Sequence, residues 1–119
     1  MATRESRLTV EHEGDIVKVE LLDRNILEEA AIQQIGEEIS TLVDQANNPK
    51  ILISFSNVEH LSSAALGTLI TINNKVRQKG GQLRLSNIDP QIYEVFVITR
   101  LNKLFQIYDD SGQAVASFQ

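Results

Sequence analysis

At 119 residues, 42% hydrophobic and 23% charged, the chain is long enough for one buried core and short for two, and its composition does not point to disorder. Eleven Lys and Arg against sixteen Asp and Glu leave a net charge of −5, which repels a phosphate backbone and argues against direct nucleic-acid binding. Cysteine is absent, which excludes disulfides, a thiol nucleophile, thiolate zinc sites and iron–sulfur clusters.

The opening residues form no signal-peptide apolar region, and no apolar run approaches the ~20 residues of a membrane helix, so a cytoplasmic setting away from the membrane is expected. A single domain over 1–119 is expected, with 1–6 as a flexible tail. Leu8 and Val10 alternate with polar residues, and Ile16, Val17, Val19 and Leu21 follow the break at Glu13-Gly14-Asp15, which predicts an antiparallel hairpin. Asn25-Ile26-Leu27-Glu28 has the form of a capping box. Leu27, Ala31, Ile35, Ile39, Leu42, Val43 and Ala46 then recur at threes and fours, predicting a helix from Asn25 to the stop at Asn47-Asn48-Pro49. Gly36 inside it costs about 1 kcal/mol against Ala unless close packing needs it.

Lys50-Ile51-Leu52-Ile53-Ser54-Phe55 is a continuous apolar run of the kind buried on both faces of a sheet, so it is placed centrally. A helical period follows, with Leu66, Leu69, Ile70, Asn73 and Val76 on one side and Gly80-Gly81 at its end. Gln82–Ser86 alternates as a strand, and Asp89-Pro90 is an N-cap and first-turn pair opening a third helix through Ile92, Val95, Phe96 and Thr99. An apolar cluster from Leu101 to Tyr108 predicts a short strand, and Asp109-Asp110-Ser111 a turn leading into a terminal helix near Phe118.

An inventory for catalysis comes back empty. His60 beside Ser62 or Ser63 has no local Asp or oxyanion motif to complete a triad. No P-loop or GxGxxG occurs, and Asp109 with Asp110 reads as a turn rather than a cation loop. No catalytic residue, metal ligand or cofactor is assigned. What stands out is Leu61-Ser62-Ser63-Ala64-Ala65-Leu66-Gly67-Thr68, two hydroxyls where a loop enters an amphipathic helix. One serine serves as a cap on the plainest reading. The small residues Ala64, Ala65 and Gly67 also let another protein approach the backbone, and the helix N-terminus favours a phosphate on Ser63. Gly67 is expected to pack closely at the helix start.

Together with Lys79-Gly80-Gly81-Gln82-Leu83 and the stretch from Phe96 to Phe105, this segment resembles the STAS-domain family, specifically bacterial anti-sigma factor antagonists, over about Leu8 to Phe118. The resemblance implies an α/β fold with a mixed four- to five-stranded sheet and helices packed on it. It puts Ser63 on the family's phosphoacceptor serine, Ala64 on its second hydroxyl residue, Ala65 on its glycine and Ser62 on the Asp that precedes the acceptor. Ser62 thereby becomes an alternative acceptor, and Asp23-Arg24-Asn25-Ile26 departs from the family's Gly-Glu-Leu-Asp.

By the same resemblance the protein is not an enzyme: unphosphorylated, it binds an anti-sigma factor, a serine kinase of the kinase-like ATPase type, and so releases a sigma factor. Phosphorylation of Ser63 ends that contact and a PP2C-type phosphatase restores it. Asn25, His60, Ser62, Ser63 and Ala64 are the expected partner contacts, on a monomer or weak dimer. The alternative is a STAS scaffold or transporter-associated interaction module without phosphorylation, which the loss of the Asp at Ser62 favours.

Overall fold

A computed structural model of the chain describes residues 6–118. Of the tail expected over 1–6, residues 1–5 lie outside that range. The Ser6 hydroxyl sits 2.8 Å from the Leu8 carbonyl and 2.5 Å from a Glu38 carboxylate oxygen. The elements run β1 (Leu8–Glu13), β2 (Ile16–Leu21), β3 (Asn25–Ile26), α1 (Glu29–Asp44), β4 (Lys50–Ser54), β5 (His60–Leu61), α2 (Ser63–Gln78), β6 (Gln82–Ser86), α3 (Pro90–Ile98), a 3-10 turn (Leu101–Lys103), β7 (Gln106–Tyr108) and α4 (Ser111–Ser117).

The predicted hairpin forms, with Leu8 opposite Leu21 and Glu13 opposite Ile16. β2, β4, β6 and β7 then pair side by side in parallel, giving a mixed five-stranded sheet in the order β1-β2-β4-β6-β7. Because successive strand residues face opposite ways, Val17, Val19 and Leu21 share a face with Ile51, Ile53, Leu83 and Leu85. There α1, α2 and α3 close one continuous core over them with Ile35, Ile39, Leu69, Ile72, Ile92 and Phe96. On the opposite face α4 packs against β4, β6 and β7, burying Ala114 and Leu52. The central strand is therefore covered on both sides, as its unbroken apolar run predicts. Ile51, Leu52 and Ile53 are at most 1% exposed, and burying each aliphatic chain contributes about 1.5–3 kcal/mol.

Local signals set several ends. Gly80, at φ 71°, ends α2. Its N–H bonds to the Arg77 carbonyl and that of Gly81 to Val76, which satisfies carbonyls that the helix leaves open. Asp89 caps α3 through the Gln91 N–H at 2.9 Å, and Asp110 caps α4 through Gln113 at 2.8 Å. The α4 start is also pinned by a polar cluster. Asn87, itself at φ 58°, directs its amide at Ser54 (3.0 Å) and Ser111 (2.9 Å), and Ser111 meets the fully buried Ser86 hydroxyl at 3.1 Å.

Five expectations need correction. The capping box at Asn25 does not form. Asn25 and Ile26 are extended and pair in parallel with His60 and Leu61, and α1 begins only at Glu29, behind a Glu28 that makes no side-chain cap. Burial of Ile26 and a second backbone ladder outweigh what one local cap offers, typically about 1 kcal/mol. Leu27 consequently leaves the helix face and is exposed. On α2 it is Ile72, not Ile70, that is fully buried, and on α3 Val95 points outward while Ile92 and Phe96 hold the core. Gly67 is exposed, and a Cβ built there meets nothing within 4 Å, so no close packing depends on it.

Candidate partner-binding surface

The carboxyl ends of β2 and β4 lead into two loops that carry the short ladder β3–β5 and deliver the chain to the start of α2. Such strand ends are where open α/β sheets place their ligands and partners. Polar contacts stitch the two loops together. The Asn57 amide donates to Glu20 at 3.0 Å and to the Leu21 carbonyl at 3.2 Å, and the Ser56 hydroxyl to Glu20 at 3.0 Å. The Arg24 carbonyl accepts from the N–H groups of Glu59 and His60, and the Arg24 guanidinium pairs with Glu59 at 2.7 Å. None of these supports was found from sequence. Ser56 and Asn57 lie 36 and 37 residues from Glu20, and nothing local in the sequence links them to it.

Ser62 and Ser63 have separate tasks. Ser62 is the N-cap of α2, half-buried, and its oxygen accepts from the Ala65 N–H at 3.2 Å, while its own N–H bonds to the Ile26 carbonyl at 3.1 Å. Ser63 is the first helical residue and is exposed. Among the described residues its hydroxyl has no partner, and nothing accepts from the N–H groups of Ser63 or Ala64. An exposed hydroxyl therefore sits at the positive end of a sixteen-residue helix with unused donors beside it. Ala64 is exposed, whereas Ala65 and Leu66 turn into the core.

The fold brings the sequence-selected residues to one place. Asn25 and His60 are exposed register partners in the ladder, and Ser62, Ser63 and Ala64 continue from it. The His60 imidazole makes no side-chain hydrogen bond among the described residues, so nothing there orients it as a base toward either serine. A wide cleft of about 830 Å³ between the β1–β2 turn and the ends of α1 and α2 lies at the opposite end of the strands and shares no residue with this surface. Among the described residues no cluster of three or more His, Asp or Glu is placed to hold a metal ion, and no helix is long and apolar enough to cross a membrane.

A family model for the STAS domain matches residues 8–114. The chain belongs to the STAS-domain family. Among curated relatives, the anti-sigma F factor antagonist of Paenibacillus polymyxa is 20% identical over 113 residues, covering 95% of each chain. BtrV of Bordetella bronchiseptica, a candidate anti-sigma factor antagonist, is 24% identical over 81% of this chain and 82% of its own. The solved anti-sigma factor antagonist STAS protein of Planctomyces limnophilus superposes with a TM-score of 0.83 at 20% identity, covering 96% of this chain and 98% of its own. SpoIIAA of Bacillus in its phosphorylated form superposes at 0.67 with 20% identity, over 92% and 96% of the two chains. The predicted STAS fold, a mixed sheet under packed helices, is thus the fold observed.

Proposed function

We propose that this STAS domain is an anti-sigma factor antagonist, a binding protein rather than an enzyme, acting in the cytoplasm and switched by phosphate on Ser63. Its partner surface comprises Asn25, His60, Ser62, Ser63 and Ala64. The observation that carries the reading is the division of labour between the two serines: Ser62 caps α2, which leaves Ser63 exposed at the helix start. Unphosphorylated, this small, nearly neutral surface admits an anti-sigma factor, a serine kinase of the ATPase type, and a sigma factor is released. A phosphate on Ser63 adds about −1.5 to −2 charge and a hydrated bulk in the middle of the contact. A penalty of about 2.8 kcal/mol already lowers affinity a hundredfold. No refolding is required, since the N–H groups of Ser63 and Ala64 are free to receive phosphate oxygens. A PP2C-type phosphatase restores the binding form.

The test uses wild type, Ser63→Ala and Ser63→Asp as baits in native cytoplasm, with phosphopeptide mapping of the wild type. The expected result is an ATPase-fold kinase held by the first two baits and released by the third, with phosphate on Ser63. Equal retention on all three baits rejects the switch and supports the scaffold or transporter-associated reading, and phosphate found on Ser62 moves the acceptor.

A further inference from the structure

The outer face of α3 is unusual for a surface helix. Five of the eight large hydrophobic side chains that are exposed among the described residues fall between Tyr93 and Leu104, with Ile98 the most open at 79%. Ile92 and Phe96, four apart, point into the core, which turns Tyr93, Glu94, Val97 and Ile98 away from it. Clustered apolar side chains of this kind mark contact surfaces, whereas scattered ones do not.

The charges beside the patch bear on what could cover it. Glu94 and Arg100 are both exposed, and neither forms an ion pair among the described residues. They lie three residues to either side of Val97. If a second copy of α3 lies antiparallel across a two-fold axis at Val97, Glu94 of each copy comes level with the end of the other copy's helix, where the chain turns at Arg100, and the Val97 and Ile98 side chains meet in the middle. A two-fold contact must be self-complementary in this way, because each residue's partner is matched by the reciprocal pair. Arg100 also holds φ 63°, a left-handed conformation that non-glycine residues seldom adopt. We infer that the exposed face of α3 is a homodimer interface, closed by apolar contact at Val97 and Ile98 and by two reciprocal Glu94–Arg100 pairs. The free edge of β1 is the competing surface, but the exposed Glu11, His12 and Glu13 along it disfavour edge-to-edge pairing. None of the α3 residues belongs to the surface around Ser63, so the dimer leaves both copies of that surface open, and the inference stands apart from the proposed switch.

Sedimentation velocity of the full chain from micromolar to submillimolar concentration tests this. Wild type is expected to show a reversible monomer–dimer equilibrium. Val97→Lys, which sets like charges on the axis, is expected to sediment as a monomer. Arg100→Glu should weaken the dimer about tenfold or more, and Glu94→Arg added to it should restore most of that loss, because the pair is rebuilt in reverse. Ile98→Asp provides a second break at a side chain too exposed to matter for folding, and circular dichroism checks the fold of each variant. A wild type that stays monomeric throughout overturns the inference, as does a dimer that survives both Val97→Lys and Ile98→Asp.

Discussion

A Cβ placed on Gly36 of α1 would lie 2.9 Å from the Thr68 Cγ2 of α2, so the two helices meet here at a separation that leaves no room for a side chain. Thr68 lies five residues beyond Ser63 in α2, so the close approach falls near the start of that helix.

That relationship makes a pair of substitutions non-additive. Gly36→Ala alone should gain little, since improved helix propensity, up to about 1 kcal/mol, is offset by the clash. Combined with Thr68→Ser, which deletes the obstructing methyl, the same change should recover most of that gain. Urea denaturation of the four proteins of the cycle measures the coupling, and simple additivity would show that the helices separate at no cost.

The cap and the exposed serine should separate in stability. Ser62→Ala removes the acceptor for the Ala65 N–H and is expected to cost about 0.5–2 kcal/mol. Ser63→Ala should stay within about 0.5 kcal/mol of wild type. Equal losses in chemical denaturation would mean that both hydroxyls support the helix.

Negative charge on Ser63 should stabilise the domain even as it weakens partner binding. Ser63→Asp puts a carboxylate at the positive end of α2 and is expected to add about 0.3–1 kcal/mol at low ionic strength, fading as salt is added. A lower melting temperature would show that the helix start has no space for the charge.

Asn87 is expected to be a stability residue. Its amide serves Ser54 and Ser111 from a left-handed backbone. Asn87→Ala loses those bonds and the tolerance for that conformation together, for an expected cost of about 2–4 kcal/mol. Hydrogen exchange should accelerate first at the start of α4, where Ser111 is released.

Acid should expose the contribution of Asp15. Its carboxyl is held below the ordinary 3.8, first by a hydrogen bond from Lys50, then by its own backbone and by the Lys50 charge; the ion pair measures 3.0 Å. The folded state thus binds fewer protons than the unfolded state between the lowered value and 3.8. The stabilisation is complete above that window and is lost as pH falls through it. Wild type and Asp15→Asn should therefore differ at neutral pH and converge in strong acid. A difference that persists undiminished there would assign it to something other than the charge.

Much of this architecture could be read from residue order because its causes are local. The β4 run is apolar at every position that is buried on either face. Gly80 can adopt positive φ, and Asp89-Pro90 joins a side-chain cap to a fixed φ. The motif around Ser63 likewise marked the helix start and the residues beside it. What only the tertiary structure decided depends on partners distant along the chain. Asn25-Ile26 satisfies the rule for a helix cap yet becomes a strand, because His60-Leu61 offers it a ladder and the core takes up Ile26. Ser62 and Ser63 are chemically identical, and only the path of the preceding loop makes one the cap and leaves the other exposed. Gly67 and Gly36 look equally small in the sequence, but only Gly36 faces another helix. Composition and period set which side of an element is apolar, and packing alone determines whether that side is covered, as it is along Ile92 and Phe96 and is not at Val97 and Ile98.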